Sequence, residues 1–308
     1  MVGQKKTLTI LGAGVWGKAL GTLASRNYHQ VNLWSRSNGV NLAQALTEAE
    51  VIVSAVSMAG VLPTVERVIG SNLPERTIIV TATKGLDFAT THTPSQIWQA
   101  AFPNHTVAVL SGPNLSKEIQ QGLPAATVVA SSNLEAAKKV QQLYSSDNFR
   151  VYVNDDPIGT ELGGTLKNVM AIAAGVCDGL ELGTNAKSGL LTRALPEMIR
   201  VGSHLGAKVE TFFGLSGLGD LLATCNSPLS RNYQVGYRLG KEQTLKQILR
   251  DLEGTAEGVN TTQVLIKIAQ QEKLSVPIAH QVNQLLQGKA TPQEAVQALM
   301  ERQLKVEN

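Results

Sequence analysis

Two stretches of this 308-residue chain carry residue types and spacings that could do chemistry. The first is Gly12-Ala13-Gly14-Val15-Trp16-Gly17, which follows Thr7-Leu8-Thr9-Ile10-Leu11 and opens a helical pattern running to Ser25. In a strand–turn–helix unit, such glycines allow a tight turn, close approach of a pyrophosphate and close helix–strand packing. The helix start adds free amides and a partial positive charge. Gly12, Gly14, Val15, Trp16 and Gly17 are therefore expected dinucleotide contacts; a glycine turn without a ligand is the bland alternative. The second stretch, Ser230-Arg231-Asn232, sets a hydroxyl, a guanidinium and an amide in succession at an expected helix start. That suits a phosphate dianion. An ordinary N-cap serine with exposed neighbours is the competing reading.

The end of the second expected strand refines the nucleotide. NAD-type sites usually place Asp or Glu there, to bind the ribose 2′-hydroxyl. This chain has Trp34-Ser35-Arg36. Arg36 can pair with a 2′-phosphate and Ser35 can donate to it, so the expected cofactor is NADP, with NADPH preferred and NAD usable. A solvated surface arginine is the alternative. Lys84, between a strand and Gly85, and Lys167, after Gly163-Gly164 in a long helical pattern, are bland by type. By composition alone, Lys167 reads as a lysine snorkelling from a helix.

The elements that must position these residues alternate through the first half. Strands are expected at 7–11, 31–34, 51–56, 77–82, 107–110, 126–130 and 149–153, with helices at 12–25, 43–49 and 63–70 between them. That alternation predicts βαβ units and a mostly parallel sheet, and the apolar early strands fit burial on both faces. After Val153 the pattern turns helical, at 157–179, 190–205, 244–252, 261–271, 276–287 and 292–302. The expected fold class is an α/β Rossmann-type N-terminal domain (1–154) plus an all-α C-terminal domain (155–308), two cores being usual at this length. Thr291-Pro292 reads as an N-cap followed by a first-turn proline.

Composition excludes several classes. The net charge of +3 is small and the basic residues are scattered, so no nucleic-acid partner is expected. The two cysteines, Cys177 and Cys225, and the five histidines show no metal-ligand spacing, so no metal is expected. Both thiols are expected to be reduced, in a cytoplasmic protein. The apolar run before Gly12 is too short for a signal peptide, and no run is long enough to span a membrane.

Beyond these local signals, the chain resembles the bacterial-type NAD(P)-dependent glycerol-3-phosphate dehydrogenase family. The resemblance rests on Thr83-Lys84-Gly85-Leu86, on Ser111-Gly112-Pro113-Asn114-Leu115-Ser116-Lys117-Glu118 and on Glu161-Leu162-Gly163-Gly164-Thr165-Leu166-Lys167-Asn168-Val169. It continues through Gly217-Leu218-Gly219-Asp220-Leu221, Ser227-Pro228-Leu229-Ser230-Arg231-Asn232 and Glu257-Gly258-Val259, and so covers nearly the whole chain in the family's order. It implies reversible, NAD(P)H-dependent reduction of dihydroxyacetone phosphate to sn-glycerol 3-phosphate, feeding glycerophospholipid synthesis, and it suggests a homodimer. Lys167 then moves the proton, and Lys84 faces both substrate and cofactor. Gly112, Asn114, Asp220, Ser230, Arg231 and Asn232 complete the implied substrate site. Ser116, Arg231, Thr255 and Glu257 line the implied cofactor side. Family members usually carry a longer connection between the second and third strands, where this chain has only Ser37 to Glu50. Part of the adenosine-side enclosure is therefore expected to be missing or replaced. Val15 also stands where the family commonly has a small polar residue. The competing readings are a β-hydroxyacid dehydrogenase or ketopantoate-reductase-like enzyme, with a carboxylate clamp, and a non-catalytic NADP-binding sensor.

Overall fold

The computed structural model describes residues 6–27, 29–303 and 306–307. Of the N-terminal segment read above for a signal peptide, residues 1–5 lie outside them. One sheet holds β1 (Thr7–Leu11), β2 (Gln30–Trp34), β3 (Val51–Ser54), β4 (Ile78–Thr81), β5 (Val107–Ser111), β6 (Ala125–Ala130) and β7 (Phe149–Asn154). Its order is β2-β1-β3-β4-β5-β6-β7, and all pairs are parallel except β5 with β6. Every residue of β3 and β4 is buried, as a sheet covered on both faces requires. The covering helices are α1 (Val15–Arg26), α2 (Leu42–Thr47), α3 (Met58–Ile69), α4 (Pro94–Ala101), α5 (Ser116–Gln120) and α6 (Leu134–Tyr144). One apolar layer is centred on Ile10, Val53 and Val80, the other on Ile52, Ile79 and Trp98.

The chain reverses direction across the sheet at β1, whose neighbours are β2 and β3. Open α/β sheets bind ligands at the carboxyl ends of strands beside such a switch point. Gly12 sits there, Lys84 follows β4, and Gly112 follows β5.

The remainder is helical among the described residues: α7 (Pro157–Gly179), α8 (Gly183–His204), α9 (Asp220–Cys225), α10 (Arg231–Gly240), α11 (Leu245–Asp251), α12 (Glu257–Gln271), α13 (Pro277–Leu286) and α14 (Pro292–Met300). A 3-10 turn (Val209–Phe213) and a π-helical turn (Leu215–Gly219) lead into α9. Helix α7 is buried nearly all round and forms the axis of this core. It crosses α10 closely: a Cβ on Gly236 would run into the Ile172 carbonyl, and one on Gly240 would lie 2.9 Å from the Gly179 Cα. Asp156 caps α7 through the Gly159 amide (2.9 Å) and also accepts from Lys208 N and Thr211 Oγ1.

Two boundaries differ most from the sequence reading. Helix α8 starts at Gly183 rather than at Leu190, because its exposed first turns are polar and carry no apolar period. Helix α3 starts at Met58, and Pro63 stands inside it rather than in its first turn, at the loss of one backbone hydrogen bond. The short connection after β2 is held by one side chain: Asn38 Oδ1 accepts from Ser35 N (3.1 Å) and Val40 N (3.3 Å), and its Nδ2 donates to the Leu33 carbonyl (2.8 Å).

Candidate active site

Helix α7 docks its first turns on the carboxyl ends of β4 and β5. Glycines make the approach: a Cβ on Gly164 would fall within 2.3 Å of Ser111 Oγ, a contact no real side chain makes, and 3.3 Å from Lys84 Cε. The Gly85 amide, just after Lys84, donates to Thr165 Oγ1 (3.1 Å). This contact brings Lys84 and Lys167 to one carboxylate. Lys84 Nζ lies 2.5 Å from Asp220 Oδ2, and Lys167 Nζ lies 3.0 Å from Asp220 Oδ1. Lys84 also donates to the Gly112 carbonyl (3.1 Å). Asp220 and Lys167 are buried, whereas the Lys84 side chain keeps 21% of its surface.

The snorkelling reading of Lys167 is thereby excluded. Burial disfavours its ammonium and lowers its pKa to about 8; the Asp220 charge opposes that fall and the Lys84 charge adds to it. A group that titrates there can both give and take a proton near neutrality.

Beside this cluster, the glycine turn has the geometry the sequence implied. Gly12, at φ +120°, is confined by the Ala55 carbonyl at the end of β3, and a Cβ on Gly17 would collide with the Gly12 carbonyl. On Gly14 a Cβ would meet nothing within 4 Å, so the α1 N-terminus has an open face, and no side chain caps it. Free amides above an open glycine fit a pyrophosphate. Trp16 donates its indole N–H to the Ala82 carbonyl (3.3 Å), which ties α1 to the end of β4, while Val15 is exposed. Arg36 is exposed beyond the β2 end.

Ser230 caps α10 by accepting from the Tyr233 amide (3.2 Å); its hydroxyl hydrogen remains to be donated. Asn232 Oδ1 accepts from the Gly258 amide (2.9 Å), which brings the α10 and α12 starts together. Arg231 is exposed and lies along Gly254, whose φ is +87°. Glu257, also in the first turn of α12, reaches across to the Met58 amide of α3 (3.0 Å).

Two family models match most of the chain. The model for the NAD-dependent glycerol-3-phosphate dehydrogenase N-terminus matches residues 7–41 and 37–137, and the model for its C-terminus matches 156–297. The chain belongs to the NAD-dependent glycerol-3-phosphate dehydrogenase family. It is 64% identical over 300 residues to a glycerol-3-phosphate dehydrogenase [NAD(P)+] of Acaryochloris marina, covering 97% of each chain. To the protein of the same name from Synechocystis it is 63% identical, covering 97% of this chain and 95% of that one. A solved glycerol-3-phosphate dehydrogenase from Coxiella burnetii superposes with a TM-score of 0.92 at 34% identity, covering 97% of this chain and 99% of that one. A ketopantoate reductase from Ralstonia eutropha shares only the fold, at 11% identity and a TM-score of 0.59, with 94% of this chain and 99% of that one covered.

Within this family chain, the sequence reading missed Thr224. Its hydroxyl accepts from Lys167 Nζ (2.5 Å) and donates to Asp220 Oδ1 (3.1 Å). The available signal was the four-residue spacing of Asp220 and Thr224 on one helix face. Asn114 joins the cluster indirectly, donating to Thr127 Oγ1 (2.9 Å), which donates to the Ser111 carbonyl (3.0 Å). Asn114 Oδ1 and Ser111 Oγ are buried without a protein partner, a state that calls for a bound group or water. Ser116, first in α5, and Thr255, exposed before α12, stand apart from the bonded cluster.

A separate cavity of about 1050 Å³, lined by Lys187, Leu191, Leu195, Phe213, Leu218 and Leu222, lies between α8 and α9. Leu218 and Leu222 face it, and Asp220 and Thr224 face Lys167, so it is not the reactive site. Among the described residues no helix is long and apolar enough to cross a membrane, and no three His, Cys, Asp or Glu side chains are grouped to hold a metal.

Proposed function

We infer that this chain reduces dihydroxyacetone phosphate to sn-glycerol 3-phosphate, reversibly, with Lys167 moving the proton. The observation that carries the reading is the shared Asp220 carboxylate, which joins two lysines from distant parts of the chain beside a dinucleotide turn. Reduced nicotinamide supplies the hydride when the cofactor is bound. Lys167 Nζ gives a proton to the carbonyl oxygen in reduction and takes it back in oxidation. Lys84, partly exposed at the carboxyl end of the sheet, orients that oxygen and adds positive charge as negative charge develops on it. Asp220 holds both ammonium groups in place and, with Thr224, directs the Lys167 head group.

The rest of the substrate needs a clamp. Ser230, Arg231 and Asn232 hold its phosphate at the α10 start, through charge-assisted bonds and helix-end amides. Gly112 and Asn114 contact its polar atoms; the unpaired Asn114 Oδ1 supports this. Gly12, Gly14, Val15, Trp16 and Gly17 hold the pyrophosphate side of the cofactor. Arg36 binds the 2′-phosphate, which makes NADPH the preferred donor. Ser116, Arg231, Thr255 and Glu257 border the nicotinamide half. The unit that binds the cofactor is residues 1–154, and residues 155–308 complete the substrate site. A cytoplasmic homodimer supplying glycerophospholipid synthesis is the setting that family membership favours.

An NADPH-oxidation assay with dihydroxyacetone phosphate tests the reading. Turnover is expected with this substrate and not with ketopantoate or other 2-keto acids. Activity on a 2-keto acid alone would shift the assignment to the reductase class that shares the fold. Absence of turnover with every substrate would leave a cofactor-binding sensor.

A further inference from the structure

Glu161 is a buried carboxylate on α7 that the chemistry above leaves unused. Only 1% of it is exposed, and Ser95 grips both of its oxygens: Ser95 N donates to Oε1 (2.9 Å) and Ser95 Oγ to Oε2 (2.5 Å). Burial pushes its pKa up to about 7 against the pull of the Ser95 and Thr93 hydrogen bonds. Its hydrogen-bond partners include no cation, and a buried carboxylate without one is costly for stability.

The far partner explains the direction of these bonds. Ser95 is the second residue of α4, the helix that follows the β4–Lys84 segment. Pro94 has no amide to satisfy, and Thr93 caps the Gln96 amide, so the Ser95 amide is the first-turn donor left for Glu161. A carboxylate gripping an amide and a hydroxyl of one residue fixes both the rotation of α7 about its axis and its position along it.

On α7 this grip belongs to a stripe. Glu161, Gly164, Thr165 and Asn168 recur at helical spacing. Glu161 meets Ser95, Gly164 admits Ser111 and Lys84, Thr165 accepts from the Gly85 amide, and the Asn168 backbone crowds Gly258. Each contact lies on or next to a segment carrying a site residue. Lys167 follows Glu161 by six residues, about 9 Å along the helix.

We propose that Glu161 is a positioning residue: through Ser95 it holds α7 against the β4–α4 connection in the register at which Lys84 and Lys167 reach the same Asp220 carboxylate. This role rests on Lys167 being the proton carrier. Asp220 packs with α7 in the helical core, whereas Lys84 belongs to the sheet edge. Loosening the Glu161 grip therefore moves Lys84 away first. Asp220, Lys84 and Cys225 are the charged and titratable groups around Lys167. Loss of the Lys84 charge and partial rehydration both raise the Lys167 pKa from about 8.

The test compares Glu161→Gln, Ser95→Ala and the double variant with the unaltered chain. Steady-state kinetics measure turnover, and NMR of ε-¹³C-lysine protein follows the Lys167 titration. Glu161→Gln is expected to lower kcat about 10- to 100-fold, with KM for dihydroxyacetone phosphate changed less than about threefold. The Lys167 titration should move upward. Ser95→Ala, which keeps the amide and loses only the hydroxyl, should show the same changes in smaller degree. The double variant should be no worse than the poorer single one, because both remove one contact. A lowered melting temperature with unchanged kcat and unchanged Lys167 titration in Glu161→Gln would overturn the proposal. So would fully additive effects of the two changes. Should the unaltered chain fail to reduce dihydroxyacetone phosphate, the functional reading falls by itself, and the Lys167 titration in the variants still decides the role of Glu161.

Discussion

Lys84 and Lys167 bind opposite oxygens of one carboxylate: Lys84 Nζ is 2.5 Å from Asp220 Oδ2, and Lys167 Nζ is 3.0 Å from Oδ1. Two cations thus share a single buried anion. Replacing Asp220 by Asn leaves both ammonium groups facing a neutral amide. The Asp220 charge is what opposes the fall of the Lys167 pKa, so Asp220→Asn should carry the Lys167 titration below about 8. The expected result is a pH–rate profile displaced to lower pH, with kcat reduced on the order of 100-fold or more, as for other buried charges that lose a partner. An unmoved profile would show that Asp220 does not act on Lys167.

The sign of the pH dependence separates the two directions of reaction. Reduction needs the Lys167 ammonium, so its rate should fall as pH rises through about 8. Oxidation needs the free amine and should fall as pH drops through the same value. Lys167→Ala should remove this limb and lower kcat roughly 10²- to 10⁴-fold. Undiminished turnover in that variant would exclude Lys167 as the proton carrier.

Gly14 and Gly17 should respond in opposite ways to the same substitution. An alanine Cβ at Gly14 meets nothing within 4 Å, and the residue has an ordinary φ of −71°. Gly14→Ala should therefore fold with a melting temperature close to the parent's and lose dinucleotide affinity. At Gly17 the Cβ collides with the Gly12 carbonyl, so Gly17→Ala should lower the melting temperature itself. Thermal denaturation with and without NADPH distinguishes the two.

Arg36 is exposed beyond the end of β2. Arg36→Asp should weaken NADPH binding about 10-fold or more while leaving NADH within a few-fold, read by titration of cofactor fluorescence. Equal losses for both cofactors would remove the 2′-phosphate role. Asn38→Ala, which releases the Ser35 amide and the Leu33 carbonyl, should weaken NADPH in the same direction by a smaller factor.

Glu161 also predicts a slope in stability. Burial raises its folded pKa to about 7, above the ordinary carboxylate value of 4.5, so the folded chain binds the extra proton between those values. This group's contribution is fully present below about pH 4.5 and is lost as pH rises through about 7. The stability difference between the parent and Glu161→Gln should change in that sense, by roughly 3 kcal/mol at most. Denaturant titrations at pH 5 and pH 8 measure it; a difference independent of pH would mean that Glu161 stays ionised throughout.

Much of the fold was legible before any coordinates. The alternation of strand and helix patterns through Val153, and the helical character afterwards, match the sheet and the helical core. Strands β3 and β4 were visible because burial on both faces leaves an unbroken apolar run. The first two turns of α8 were not, since their exposed polar residues carry no period. Thr224 and Glu161 were missed for a related reason. A buried threonine and a buried glutamate look like surface residues until the elements that bury them are packed together.

The sequence by itself determined the nucleotide turn. Gly14 and Gly17 act within one strand–turn–helix unit, Gly17 packing on the Gly12 carbonyl, so the spacing of the glycines is enough to state the turn. It also marked Ser230-Arg231-Asn232 as a helix start, because a helix start and its capping residue are local too. The tertiary structure alone decided the chemistry of Lys167. A proton affinity depends on how much water surrounds the amine and on which charges stand near it. Those are supplied by Asp220, Lys84 and Thr224, which reach Lys167 only because α7 and α9 pack together and α7 docks on the sheet edge.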